Sequence, residues 1–82
     1  MEKYNLHLMN DDFNHYIDVQ TALKQVCEFD QKTAEAHTII THMVGASAIV
    51  ENVEYENAKL LQEKLENLGI NTQITDVDSE PL

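Results

Sequence analysis

The spacing of apolar residues changes several times along this chain, and the order of those changes constrains its fold. Apolar and polar residues alternate over Tyr4–Met9, which predicts a half-buried strand. The other elements that the spacing predicts are, in chain order, helices at 15–27 and 31–44, a strand at 46–50, a helix at 54–68 and a strand at 71–77. The predicted order is therefore β-α-α-β-α-β.

Short polar residues and glycines mark the ends of the predicted helices. Asn14 and Asp30 stand where the first and second helices begin, and Asn52 stands just before the third, so all three are predicted N-caps. Gly45 and Gly69 follow the second and third helices, in the position where a left-handed residue often ends a helix.

Each predicted helix carries apolar residues at steps of three or four, which form a stripe along one side. We expect these stripes to face the core: Tyr16, Val19, Leu23 and Val26 on the first helix; Ala36, Ile39 or Ile40, and Met43 on the second; Ala58, Leu61, Leu65 and Leu68 on the third.

Strands this short cannot bury an apolar face by themselves, so the sheet needs the helices as a cover. The sequence predicts a small α+β domain, a three-stranded antiparallel sheet with three helices packed on one side. The last strand pairs with the first strand or with the strand at 46–50. Since 82 residues allow only one core, we expect a short arm at 1–3, one domain at 4–77 and an acidic tail at 78–82.

The charge of the chain limits its partners. Five Lys and Arg residues stand against fifteen Asp and Glu residues, a formal net charge of −10. An acidic surface repels phosphate, so we expect an amine or a basic peptide as partner and neither nucleic acid nor a membrane. The single cysteine, Cys27, allows no intramolecular disulfide, and no apolar run approaches 18 residues, so the expected location is the cytoplasm.

A polar cluster follows the first predicted strand and is the candidate binding site. Asn10, Asp11 and Asp12 end that strand, and His42 closes the second predicted helix just before Gly45. An ammonium group offers three N–H donors; Asp11 can accept one with its charge, Asn10 with its amide oxygen and neutral His42 with a ring nitrogen. The alternative is a turn and helix-cap cluster with a histidine at a helix end, and we expect that structural role for Asp12.

The same residues give little support for catalysis or metal binding. His37 and His42 are five apart, so they diverge on a helix, and the sequence has no cysteine cluster. It also has no nucleophile elbow and no phosphate loop. We therefore expect no metal, no cofactor and no enzymatic activity; a small hydrolase that uses Asp11 and His42 is the weakest alternative.

The whole pattern resembles ClpS, the adaptor that delivers N-degron substrates to the ClpA or ClpC unfoldase of the Clp protease. The resemblance runs from Tyr4 to about Thr75. It rests on Asn10-Asp11-Asp12-Phe13, on Ala34 and on His42-Met43-Val44-Gly45, in this order and at the spacing of the family. It implies a monomeric adaptor that binds the free N-terminus of proteins with a large hydrophobic first residue and modulates which substrates the protease takes.

The resemblance also implies a role for individual residues. It assigns the α-amino group of the substrate to Asn10, Asp11 and His42. The specificity pocket is implied to contain Asn14, Tyr16, Val19, Thr38 and Thr41. Docking on the N-domain of the AAA+ unfoldase is implied for Phe13 and Glu56. Because the partner hydrolyses ATP, the adaptor itself needs no cofactor.

Several positions depart from the family pattern. Asn14-His15 stands where members commonly have Thr-Pro, Tyr16 replaces a Met of the pocket, and Thr38 and Thr41 replace apolar residues. We expect a pocket that is more polar, smaller, or partly filled by the Tyr16 ring. Two alternatives follow: a divergent regulator that docks on the unfoldase without binding N-degrons, and an interaction domain unrelated to Clp that uses its third helix.

Overall fold

A computed structural model describes residues 2–81 of the chain; Met1 of the expected arm and Leu82 of the expected tail lie outside the described residues. The elements are β1 (Tyr4–Met9), α1 (Tyr16–Cys27), α2 (Gln31–Val44), β2 (Ala46–Val53), α3 (Tyr55–Asn67) and β3 (Thr72–Asp76). This order and the α+β class confirm the prediction, with boundaries that shift by up to three residues.

The sheet has the strand order β2-β1-β3, with both neighbours antiparallel to the central strand. Leu6 at the centre pairs with Val50 of β2 and with Ile74 of β3. The last strand therefore pairs with β1, which settles the two possibilities that the sequence left open.

The core lies between one face of the sheet and the helices. Leu6 and Leu8 on β1 and Leu23 on α1 are almost fully buried, and they pack with residues of the other helices and of β2. Burial of each such leucine stabilises the fold by roughly 1.5–3 kcal/mol. The helices thus cover one side of the sheet, as the short strands require.

Two of the three predicted N-caps are wrong. α1 has His15 at its N-cap with no side-chain cap bond, because the Asn14 amide donates instead to Asp11 Oδ2 (2.8 Å) and to the Gly69 carbonyl (2.9 Å). Asn52 lies within β2 at a φ of 58°, and Glu54 holds the N-cap position of α3.

The other helix ends follow the prediction. The Asp30 carboxylate accepts a 2.8 Å bond from the Thr33 N–H at the start of α2. At its end Gly45 has a φ of 105° and donates its N–H to the Thr41 carbonyl. Gly69 is also left-handed, and its N–H bonds the Glu66 carbonyl after α3.

The predicted apolar stripe of α2 is wrong, because this helix turns that side to solvent. Ala36, Ile39, Ile40 and Met43 are all exposed, and the buried residues of α2 are Ala34, Thr38 and Thr41. Threonine is accepted in the interior here because each hydroxyl donates to a carbonyl four residues earlier, 2.7 Å away. On α3, Leu68 is likewise half exposed rather than on the inner face.

No helix within residues 2–81 is long and apolar enough to cross a membrane.

Candidate functional site

Backbone hydrogen bonds fix where β1 ends. The Met9 N–H donates to the Asn71 carbonyl (2.9 Å), and the Asn10 N–H donates to the Gly45 carbonyl (3.0 Å). The polar turn after β1 is thereby held between the residue that ends α2 and the residues before β3. This arrangement brings His42, in the last turn of α2, beside the acidic turn.

The Asp11 side chain organises the turn. Its Oδ1 accepts the Phe13 and Asn14 N–H groups, each at 2.9 Å, and its Oδ2 accepts the Asn14 amide at 2.8 Å. Because a carboxylate has about four acceptor sites, Asp11 keeps capacity for a further donor after these three bonds.

The same contacts set the ionisation of Asp11. Partial burial acts to raise its pKa, but the hydrogen bonds from the Asn14 N–H, the Asn14 amide and the Phe13 N–H hold the pKa of Asp11 below its ordinary value. These donors favour the charged form, so the turn presents an ionised carboxylate near neutral pH.

One cavity of about 240 Å³ lies between this turn, α1 and α2. The structure brings together in its lining all eight residues to which the family resemblance assigned the amino group or the pocket: Asn10, Asp11, Asn14, Tyr16, Val19, Thr38, Thr41 and His42. Four further residues also line it: Leu8, Met9, Asp12 and Ile70.

Of these four, only Asp12 belongs to the polar cluster that the sequence indicates as a site; Leu8, Met9 and Ile70 carry no such signal. Leu8 and Ile70 belong to the buried core as well, and Ile70 is sixty residues from Asn10 in sequence. Only the pairing of β1 with β3 brings them to the cavity. Asp12, expected to be structural, makes no hydrogen bond among residues 2–81, whereas Asp11 accepts three.

Two polar groups at the cavity are available to a ligand. Within the described part of the chain, neither the side-chain amide of Asn10 nor the ring of His42 makes a hydrogen bond to another group. The His42 ring instead contacts the Tyr16 ring edge to face, with centroids 5.2 Å apart and an angle of 73°. Tyr16 is about half exposed, so this aromatic pair forms part of the cavity wall without closing it.

Thr38 and Thr41 make the cavity lining less polar than two free hydroxyl groups would. Thr38 Oγ1 donates to the Ala34 carbonyl and Thr41 Oγ1 to the His37 carbonyl, so each hydroxyl retains only acceptor capacity toward the cavity. Val19, Leu8 and Ile70 supply apolar surface to the same lining. The cavity therefore joins an acceptor-rich end to a partly apolar wall.

The two residues with an expected docking role lie outside this cavity and apart from each other. Phe13 is 91% exposed and lines a shallow groove with Glu66 at the end of α3. Glu56 lies in the first turn of α3. Because a helix rises 1.5 Å per residue, about 15 Å of α3 separates Glu56 from Glu66.

Within residues 2–81 no group of three or more His, Cys, Asp or Glu side chains is placed to hold a metal ion.

The family model described as "ATP-dependent Clp protease adaptor protein ClpS" matches residues 1–78, almost the whole chain. The chain belongs to the ClpS family. Among solved structures, this ClpS protein is similar to Agrobacterium tumefaciens ClpS2 bound to L-phenylalaninamide, with a TM-score of 0.87 and 21% sequence identity; the match covers 92% of this chain and 96% of that one. At this identity the likeness shows the shared fold. A search of curated proteins gives no match.

Proposed function

We propose that this ClpS protein binds the free N-terminus of N-degron substrates and docks on a ClpA-type or ClpC-type unfoldase. Asn10, Asp11 and His42 accept the three N–H groups of the substrate ammonium, and the first side chain enters the cavity. Residues 4–77 form the adaptor domain, flanked by an arm at 1–3 and a tail at 78–82. The protein acts as a monomer and without catalysis of its own.

One observation carries this proposal: eight residues distant in sequence line a single cavity, with acceptors at one end and apolar surface on the wall. The Asn10 amide and the His42 ring have no competing hydrogen bond within residues 2–81. The cavity also lies at the C-terminal end of α2, where the helix dipole favours a cation.

The ligand bound to the solved structure of a ClpS relative also supports the proposal. Agrobacterium tumefaciens ClpS2 is bound to L-phenylalaninamide. That molecule has a free α-amino group and an aromatic side chain and carries no terminal carboxylate, so it resembles the first residue of a protein chain. The same chemistry suits the cavity described above.

The test measures fluorescence anisotropy of labelled peptides that begin with Leu, Phe, Tyr, Trp or Ala, each beside its acetylated twin. We expect the large apolar residues to bind and Ala to bind weakly. Acetylation removes the charge and adds bulk, so it should weaken binding by at least about tenfold, since a hydrogen bond to a charged group contributes roughly 1.5–3 kcal/mol. Equal binding of free and acetylated peptides would contradict the proposal.

Variants of Asn10 and His42 locate the binding site. Neither side chain hydrogen bonds within the described residues, so Asn10→Ala and His42→Ala should weaken binding about 10- to 100-fold without loss of folding. Asn57→Ala, at an exposed position on α3, is the matched control and should bind like the original protein.

Docking is tested separately, by pull-down with the isolated N-domain of ClpA or ClpC. We expect Phe13→Ala and Glu56→Ala to reduce capture, and Glu63→Ala, another exposed carboxylate on α3, to leave it unchanged. Capture of the N-domain without binding of any free N-terminus would identify a regulator that lacks N-degron recognition. Failure of both assays would indicate an interaction domain with another partner.

A further inference from the structure

The outer face of α2 is apolar and uncovered. We define it by four residues: Ile39, Ile40, Met43 and Val44, whose exposed fractions are 48%, 45%, 77% and 78%. Residues three or four apart on a helix are neighbours, so these side chains form one continuous patch. Contiguous exposed apolar surface makes this face of the helix a candidate interaction site.

This patch begins at the rim of the candidate site. His42 lines the cavity, follows Ile39 by one helical turn and directly precedes Met43. The His42 ring contacts the Tyr16 ring of α1. Ile17, which follows Tyr16 in α1, is also largely exposed. At 3.6 residues per turn, Ile39 and Met43 lie on the side of the patch nearer His42, so a chain that leaves the cavity past His42 meets these two side chains first.

The arrangement of α1 and α2 supports this continuity. At the far end of the helix pair, Lys24 Nζ donates to Gln31 Oε1 (2.8 Å) and Gln31 Nε2 donates to Gln20 Oε1 (3.0 Å). The end of α1 thus lies beside the start of α2, and the two helices run antiparallel. The start of α1 and the end of α2 consequently meet at the cavity.

Charge and length decide which occupant fits the patch. Two copies of a chain with a net charge of −10 repel each other, which disfavours self-association. The patch spans five helical steps, about 7.5 Å, and an extended peptide advances about 3.3 Å per residue. The outer face is therefore long enough for two or three residues of a bound chain.

We propose that the outer face of α2 binds residues two to four of the chain whose N-terminus occupies the cavity. It selects apolar or basic side chains there and disfavours acidic ones, because the surface is apolar and the protein is strongly acidic. The inference rests on the proposed function and deepens it, since it adds a second determinant beyond the first residue of the substrate.

The test compares peptides that share a free N-terminal Phe and differ only at positions two to four: Leu-Val-Leu, Ser-Gly-Ser or Glu-Gly-Glu. Anisotropy titrations are run with the original protein, with the double variant Ile39→Ser plus Met43→Ser, and with the control Leu60→Ser, an exposed apolar position on α3. We expect the original protein to prefer the apolar peptide about tenfold over Ser-Gly-Ser, which corresponds to roughly 1.4 kcal/mol. Glu-Gly-Glu should bind most weakly.

The double variant should lose that preference while it binds the Ser-Gly-Ser peptide as before, and Leu60→Ser should keep it. If the original protein binds all three peptides equally and acetylation still abolishes binding, the inference is wrong and the proposed function stands. If acetylated twins bind equally well, the proposed function fails instead. A double variant that weakens all peptides alike, or that loses only capture of the unfoldase N-domain, also overturns the inference.

Discussion

The side chain of Thr72 is buried, and its hydroxyl is not paired within the described residues. The residue is 8% exposed, and its hydroxyl has no hydrogen-bond partner among residues 2–81. An unpaired buried hydroxyl costs about 1–3 kcal/mol, and valine has nearly the same shape and favours strands. We expect Thr72→Val to raise the free energy of unfolding by about 1 kcal/mol in urea titrations.

Thr75, in the same strand, provides the matched comparison. Its Oγ1 hydrogen bonds to His7 Nε2 at 2.8 Å and donates to the Ser79 carbonyl at 3.3 Å. Thr75→Val should therefore destabilise the protein by about 1 kcal/mol. Equal effects of the two substitutions would show that hydrogen bonding does not distinguish the two threonines.

Asn14 connects the acidic turn to the end of α3 through its bonds to Asp11 Oδ2 and to the Gly69 carbonyl. We expect Asn14→Ala to lower the free energy of unfolding by about 1–2 kcal/mol. It should also raise the pKa of Asp11, because one of the donors that favour the carboxylate is lost. An NMR titration of the Asp11 carboxyl carbon measures this shift, with Asn57→Ala as the reference that leaves it unchanged.

At the scale of elements, α2 shows what the sequence could and could not predict. Its ends were predicted correctly, because Asp30 and Gly45 act through local backbone geometry. Its buried side was predicted wrongly, because burial depends on what packs against a helix, and Thr38 and Thr41 satisfy their hydroxyls within it. The convergence of Asn10 with His42 depends on contacts across the fold; the residue types and the family resemblance both indicate it, but no local pattern fixes it.

Gly45 links this helix to the site, since it ends α2 and its carbonyl accepts the Asn10 N–H. A Cβ at this position would meet no atom within 4 Å, so the φ of 105° alone opposes other residues. We expect Gly45→Ala to destabilise the protein by about 1–2 kcal/mol and to weaken peptide binding. Asn52→Gly, at a φ of 58°, should be neutral or slightly stabilising in the same urea titrations.

At the scale of the whole molecule, two histidines make stability depend on pH. His7 lies on the side of β1 opposite Leu6 and Leu8, yet it is only 6% exposed. His37 stacks on Phe29 and bonds Ser47 Oγ through Nδ1 at 2.6 Å. Burial lowers the pKa of both rings, and the charge of Glu51 opposes this only in part.

The sign of the effect follows from proton uptake. Each histidine has a lower pKa in the folded protein than in the unfolded chain, so below about pH 6.5 the unfolded chain binds more protons. The contribution of the two uncharged histidines to the free energy of unfolding is fully present above about pH 6.5. It is lost as the pH falls from 6.5 toward their pKa values in the folded protein. The lowered pKa values of Asp11 and Asp30 act in a separate window, below their ordinary values near 3.8.

We therefore expect the midpoint of urea unfolding to stay nearly level from pH 7.5 to about pH 6.5 and then to fall toward pH 5. His7→Gln and His37→Asn each place an amide near the ring nitrogen that bonds Thr75 or Ser47, and neither new side chain titrates. The double variant should flatten this dependence, whereas His15→Gln, at an exposed position, should keep it. A double variant as sensitive to pH as the original protein would mean that other groups take up the protons, because no other change in charge distinguishes the two proteins.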